Sequence, residues 1–364
     1  MRRKLVVSLL VLCMCSSFIG GCGKKEKEVD PLKKSNQSDT KVAVNHDGKV
    51  QSPLTGQWIK KEEAKKRPIA LMIENTHACL PQYGISKADV IYECPVEGGI
   101  TRLMCIFQDY SDMAMIGNIR SCRDYYLPFA QEFNAIYFHC GQSKYALDML
   151  NSGQIDHVDA NQGSTSKYFY KAPGKKAPHH VFTSTKKIDK AIDKLDFETT
   201  LDDSYKSHFK FPSSDKAVSL PGAKNAAVVS LYYRNPKAVF IYKKATGMYY
   251  RQEFGEAQVD ALGNKTLSVK NIIIQNCKSE VRDPSNGTLS IEYNGTGTGK
   301  YITNGKAIDI TWKRDEETNK TTYYNSTGKK LSINQGKTWV CVCENSKTNE
   351  NKIYATEEEY KTKK

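Results

Sequence analysis

The 364-residue sequence holds 11 cysteines and yet has no Cys-x-x-Cys pair. That removes the spacing of zinc ribbons and of thioredoxin-like redox centres. It also has no Gly-x-Ser-x-Gly, no His-Glu-x-x-His and no P-loop. No nucleophile elbow, zincin helix or phosphate-cradling loop is therefore signalled. Histidine is scarce, and the adjacent pair His179-His180 has no carboxylate at a metal motif's spacing. The expectation is no metal and no cofactor.

What is present places the chain. An apolar content of 39% over 364 residues is enough for two domains with real cores. The formal charge of +14 fits anionic neighbours such as lipid headgroups, wall polymers or nucleic acid, or a lysine-rich solvated surface. The N-terminus narrows this choice. Arg2-Arg3-Lys4 precedes the apolar run Leu5–Leu12, and Phe18-Ile19-Gly20-Gly21-Cys22 follows. A basic start, a short apolar stretch and small residues before the cut make an export signal peptide. Ile19-Gly20-Gly21-Cys22 also resembles the lipobox of bacterial lipoproteins, whose cysteine becomes the acylated, palmitate-bearing N-terminus. Cys22 is read as that residue. Loss of residues 1–21 takes Arg2, Arg3 and Lys4 and no acid, leaving +11. The mature chain is then a lipid-anchored protein on the extracytoplasmic face of the cell membrane, with no nucleic-acid partner.

Cys13 and Cys15 leave with the signal. Eight cysteines remain besides Cys22, most of them single residues in apolar strands. Cysteine there behaves as a small buried hydrophobe, so free thiols are favoured over a bridge framework.

Residues 22–58 read as a disordered tether of Lys, Asp, Ser and Asn without apolar period. Residues 59–222 read as an α/β domain with a mixed sheet. Strand 67–75 is followed by two strand-like runs, Val90–Glu97 and Ile100–Phe107, joined by Gly98-Gly99 as a tight turn. That pairing sets Pro95 opposite Arg102, puts Glu93, Glu97 and Arg102 on one face as a charge cluster, and makes the Pro95 strand an edge. Ser121-Cys122-Arg123-Asp124 fits a capping box for a helix to about Phe133. Ala135–Cys140 is a strand, and Ser143 caps a helix ending near Gly153. From Ala226 short strands with Asn-Gly links indicate a mostly antiparallel, β-rich domain over 223–345, followed by a polar tail, 346–364. The fold class is α+β.

Four groups of residues carry candidate chemistry. Arg120 and Arg123 at a helix start form an anion site in combination with free N–H groups, with Asn75 and Ser143 at the same sheet edge. The alternative is an internal ion pair with Glu93 or Glu97. His139 is a candidate base with Ser121 or Ser143 nearby, or else a hydrogen-bonded structural histidine. His179-His180 reads as a polar loop. Asp260 is a second-domain candidate whose default reading is a turn residue.

At these words the sequence resembles the YerB family of Gram-positive lipoproteins, DUF3048. The resemblance rests on Leu54-Thr55-Gly56, Arg67-Pro68, Ile73–Asn75, Pro81-Gln82, Ala88-Asp89, Glu97–Arg102, Arg120-Ser121-x-Arg123, His139-x-Gly141 and Pro178-His179. Tyr250-Arg251, Asp260, Asn271 and Thr338-Trp339 extend it to about residue 344. Departures are Asn118 for the usual Pro, His180 for Asn and Gln258 for His, and the last weakens any chemistry needing a His beside Asp260. The resemblance implies two domains and a surface address and names no reaction. The reading is a non-catalytic cell-envelope factor that binds an anionic wall component or a wall-synthesis protein through the Arg120–Arg123 region. The alternative is an enzyme acting on peptidoglycan with His139 as base.

Overall fold

The computed structural model describes residues 46–363. The signal segment, Cys22 and the tether up to residue 45 lie outside the described residues.

The centre is an eleven-stranded mixed sheet. The first part of the chain supplies Ile69–Asn75 (β1), Val90–Pro95 (β2), Thr101–Phe107 (β3), Ile136–His139 (β4) and His157–Asp159 (β5). The later part supplies Lys224–Asn225 (β6), Asn271–Cys277 (β7), Gly295–Thr303 (β8), Lys306–Asp315 (β9), Lys320–Tyr324 (β10) and Thr338–Glu344 (β11). The order is β6-β9-β8-β7-β11-β2-β3-β1-β4-β5, with β10 on β9. Contacts β7/β11, β11/β2, β1/β4 and β4/β5 are parallel and the others antiparallel. β11 docks Thr338 beside Val90, so the sheet runs through both halves of the chain.

β1 shows why this sheet is central. All seven residues are buried, with Ile69, Leu71 and Ile73 in one core and Ala70 and Met72 in the other. A strand covered on both faces reads as a continuous apolar run. Each large aliphatic side chain there contributes about 1.5–3 kcal/mol. One of the two cores is closed by a second, antiparallel sheet that includes Val228–Leu231, Ala238–Lys243 and Met248–Glu253. The mixed sheet in the first part and the mostly antiparallel strands in the later part make the fold α+β.

Several local expectations change. Residues 46–58, read as tether, are folded: Lys49–Gln51 pairs with Trp58–Lys60, and Leu54 is fully buried. Ser52 organises this hairpin by donating to Gln108 Oε1 at 2.8 Å. The tail is folded too. Lys352–Tyr354 pairs with Val228–Leu231, and Glu357–Lys363 is helical.

The turn between β2 and β3 is three residues, Glu97–Gly99, closed by Val96 N–H donating to Ile100 O, rather than two. Cys94 therefore faces Arg102, and Pro95 faces Thr101. A slip of one residue moves a side chain to the other face. Arg102 accordingly lies on the face opposite Glu93. β2 is not an edge: it sits between β11 and β3, and Pro95 is its last residue, beyond the β11 ladder that ends at Glu93. A proline past the ladder forfeits no hydrogen bond.

Ser121 is not a helix cap. The helix spans Tyr126–Gln131 (α1), while Arg123 and Asp124 form the turn before it. Lys144–Asn151 (α2) has Ser143 at its N-cap position, though without a side-chain cap bond. All eight cysteines among the described residues are free, and only Cys140 is not fully buried.

Candidate functional site

The carboxyl ends of β1 and β4 and the start of β3 meet at one end of the sheet, where ligands gather in open α/β folds. Residues 119–123 thread into this end. Ile119 bridges Ile73, Arg120 N–H donates to Met72 O, and Cys140 N–H donates to Arg120 O. Cys122 N–H then donates to Gly141 O, and Ser143 N–H to Cys122 O. Backbone pairing thus fixes the arginines to the sheet, ahead of the first turn of α1.

Three guanidinium groups converge here on the face of Met72 and Met104. Arg123 is the settled one. Its Nε and Nη2 donate to the two Glu97 oxygens at 2.6 Å each, and Nη1 donates to Cys122 O at 2.8 Å. Burial would raise the Glu97 carboxyl, but the Arg123 fork outweighs it and holds Glu97 below its ordinary value. Arg120 is looser. Its Nε lies 3.7 Å from Glu74 Oε2 without a hydrogen bond, and Nη1 donates to Pro178 O at 3.1 Å. Glu74 is already engaged, since both of its oxygens lie 2.8–2.9 Å from His179 Nδ1.

Arg102 is the one of the three with no ion pair within 4 Å among the described residues. It is 6% exposed and among the described residues its side chain makes one hydrogen bond, from Nη1 to Ser121 O at 2.7 Å. Burial and then the neighbouring Arg123 pull it down to about 10, with Glu97 opposing and Arg120 adding to the fall. Three guanidinium groups thus face two carboxylates, Glu97 and Glu74. Buried cations of this kind demand partners.

The structure separates the remaining candidates. Asn75 points to the other face of β1. It donates to Thr101 Oγ1 at 2.8 Å and to Glu93 Oε1 at 3.3 Å, and its Oδ1 accepts from Gln82 and Gln258. It does not join Arg120 and Arg123. Ser143 reaches the site through its backbone only, and its hydroxyl has no hydrogen-bond partner among the described residues. His139 is fully buried, with Nδ1 2.9 Å from Gly141 O and Nε2 3.0 Å from His157 Nδ1. Burial, only partly offset by Asp159, brings it down to about 4. Ser121 hydrogen-bonds to neither ring nitrogen. Asp260 is a tie between segments, accepting from the N–H groups of Gly84, Ser86 and Leu262 at 2.8 Å each.

Behind the same strand ends, on the other face, lies a second buried cluster. Glu93 accepts from Thr101, Asn75, Arg251 and Trp339. Arg251 is wholly buried, lies 4.4 Å from the Trp339 ring centre and also donates to Glu253 and Gln258. Burial pushes Glu253 up to about 7 in spite of Arg251 beside it. Sequence reasoning missed this cluster. The signal was there: Tyr249, Arg251 and Glu253 alternate onto the buried face of one strand.

The words that first carried the resemblance, Asn75, Gln82, Thr101, Arg102, Arg120, Arg123, Arg251 and Trp339, line these two faces. Residues 54–198 match the family described as "Protein of unknown function (DUF3048) N-terminal domain", and residues 228–340 match its C-terminal domain. The chain belongs to this family. It is 27% identical over 337 residues to the Bacillus subtilis protein named "Putative lipoprotein YerB", covering 92% of this chain and 94% of that one. The crystal structure of the YerB protein from Bacillus subtilis is similar to this one, with a TM-score of 0.74 and 27% identity, over 84% of this chain and all of that one.

Proposed function

We propose that this chain is a cell-envelope lipoprotein, held at the extracytoplasmic face of the membrane by acylated Cys22, that works by binding rather than catalysis. Its ligand is an anionic group on a wall component or on a wall-synthesis protein, received by Arg102, Arg120 and Arg123. The name of the Bacillus relative and the lipobox-like Ile19–Cys22 support the anchor. No helix of the described residues is long and apolar enough to cross a membrane; in this reading the acyl chains on Cys22 supply the attachment.

The observation that carries the binding role is Arg102: a nearly buried guanidinium with one hydrogen bond, flanked by two other arginines. A carboxylate or phosphate accepts bidentate donation and neutralises the excess charge. The peptidoglycan-enzyme alternative gains nothing from His139, whose two nitrogens are engaged and whose pKa makes it a weak base.

A thermal-shift screen with muropeptides, teichoic-acid fragments and inorganic phosphates tests this. At about 100 times its dissociation constant a ligand adds ~2.7 kcal/mol of stability. We expect at least one anion to raise the melting temperature of the wild type and none to raise that of Arg102→Gln. Silence from every anion, or an equal response in the variant, would refute the anion site.

A further inference from the structure

We propose that the cavity over Glu253, on the sheet face opposite the arginines, is a binding site for an organic ammonium group. The cavity has a volume of about 370 Å³, which suits a small molecule or the end of a side chain. Its lining includes His77, Leu80, Pro81, Glu253, Phe254 and Glu256. It therefore holds two acids and no lysine or arginine, in a chain of formal charge +14. Cavities of similar size elsewhere carry lysines, such as Lys65 and Lys66 or Lys224 and Lys300.

The chemistry behind the lining is incomplete. Glu253 is 2% exposed, and one of its oxygens, Oε2, accepts from Arg251 Nη2 at 3.3 Å. Its Oε1 has no hydrogen-bond partner of normal geometry among the described residues, although the Asn75 amide lies near enough to pull the carboxyl down a little. The same Arg251 nitrogen donates to Glu93 at 3.0 Å. One guanidinium thus serves two buried carboxylates, and Glu93 is the better satisfied, with three further donors from Asn75, Thr101 and Trp339. Arg251 Nη1 likewise has no hydrogen-bond partner among the described residues, so the guanidinium beside Glu253 does not meet its free oxygen, and a second donor with positive charge would complete the carboxylate. An ammonium supplies both, and a charge-assisted bond to a carboxylate is about twice as strong as a neutral one. The apolar part of the lining fixes the rest of the ligand. Leu80, Pro81 and the Phe254 ring, held edge-on to His77 at 5.2 Å, favour an amine on a short aliphatic chain over a bare metal ion.

The probe is n-butylamine, titrated into the purified protein at about pH 8, where a primary amine is cationic. 1-Butanol, matched in shape but neutral, is the control at equal ionic strength. We expect a saturable rise in melting temperature with the amine and none with the alcohol. Glu253→Gln keeps an acceptor for Arg251 and should weaken the amine at least tenfold. Leu80→Trp fills the cavity without altering the charge cluster and should also remove the response. This second variant protects the test should Glu253→Gln fold poorly. No response to the amine, an equal response to the alcohol, or a response retained in Leu80→Trp would overturn the proposal. The arginine site is untouched by either variant, so the two sites fail or stand separately.

Discussion

Individual residues divide here into settled and unsettled charges, and the division was hidden from the sequence. Arg123 and Glu97 were legible as a possible ion pair, and the structure makes them a two-pronged one. Alternation from a two-residue turn groups Arg102 with Glu93 and Glu97, and the longer turn undoes its pairing with Glu93. Arg251 enters the sequence reading through the resemblance alone, and its contact with Glu253 is not anticipated, because charged residues on a short strand are ordinarily solvated. Their burial has a consequence in pH. The Glu253 carboxyl rises from 4.5 to about 7 on folding. Between those values the folded protein keeps a proton that the unfolded chain has released. The resulting stabilisation is complete below about pH 4.5 and is lost as pH rises through about 7, on the order of 3 kcal/mol in all. Buried Asp89 and His139 also titrate below neutrality, and both are shared with a Glu253→Gln variant. The difference in unfolding free energy between wild type and Glu253→Gln should therefore shift in the variant's favour from pH 5 to pH 8. A pH-independent difference would mean that Glu253 is already ionised at pH 5.

At the scale of elements, periodicity and apolar runs located the structure well, and turn chemistry located it less well. The β1, β4 and α2 segments, and the β-rich character after Ala226, follow from patterns that span several residues. The β2–β3 connection turned on a single residue. Gly98 and Gly99 both adopt positive φ, as a turn of glycines implies, but Glu97 joins them in the loop. Nothing local chooses between two and three residues. The choice is made by packing from far along the chain. Asn235 N–H donates to Gly99 O, and the Arg234 stem lies against the Gly99 backbone. A Cβ at Gly99 would stand 2.6 Å from Arg234 Cδ, at φ +72°. Gly99→Ala should cost about 1–3 kcal/mol, measured by urea unfolding, whereas an unchanged midpoint would show that Arg234 moves aside freely. The capping-box reading of Ser121 failed for a similar reason. Residues 119–123 are recruited into sheet-like pairing with Ile73 and Gly141, which no short motif reports.

The whole molecule is built so that one end of a shared sheet carries opposite charge on its two faces. Arginines Arg102, Arg120 and Arg123 outnumber their acids on one side, and Glu93 and Glu253 outnumber Arg251 on the other. The sequence showed two halves. It did not show that β11 would insert beside β2 and bring Trp339 and Arg251 to Glu93, because sheet order between distant strands leaves no local trace. The anchor belongs to this scale too. Cys22→Ala should move the protein from the membrane fraction to the soluble one, since a single processed lipid site is the apolar attachment. Retention in membranes after a high-salt wash would remove the lipoprotein reading. In the proposed binding role, Arg102 is held short of counter-charge for a ligand. This is tested most directly without any ligand, by urea unfolding of wild type, Arg102→Met and Arg123→Gln in anion-poor buffer at low ionic strength. Breaking the Arg123–Glu97 pair should cost about 1–3 kcal/mol, because Glu97 is left partly buried and unpaired. Arg102→Met keeps the volume and relieves repulsion among three cations, so the unfolding free energy should stay level or rise. A loss in Arg102→Met as large as that in Arg123→Gln would contradict the account and make Arg102 part of the scaffold.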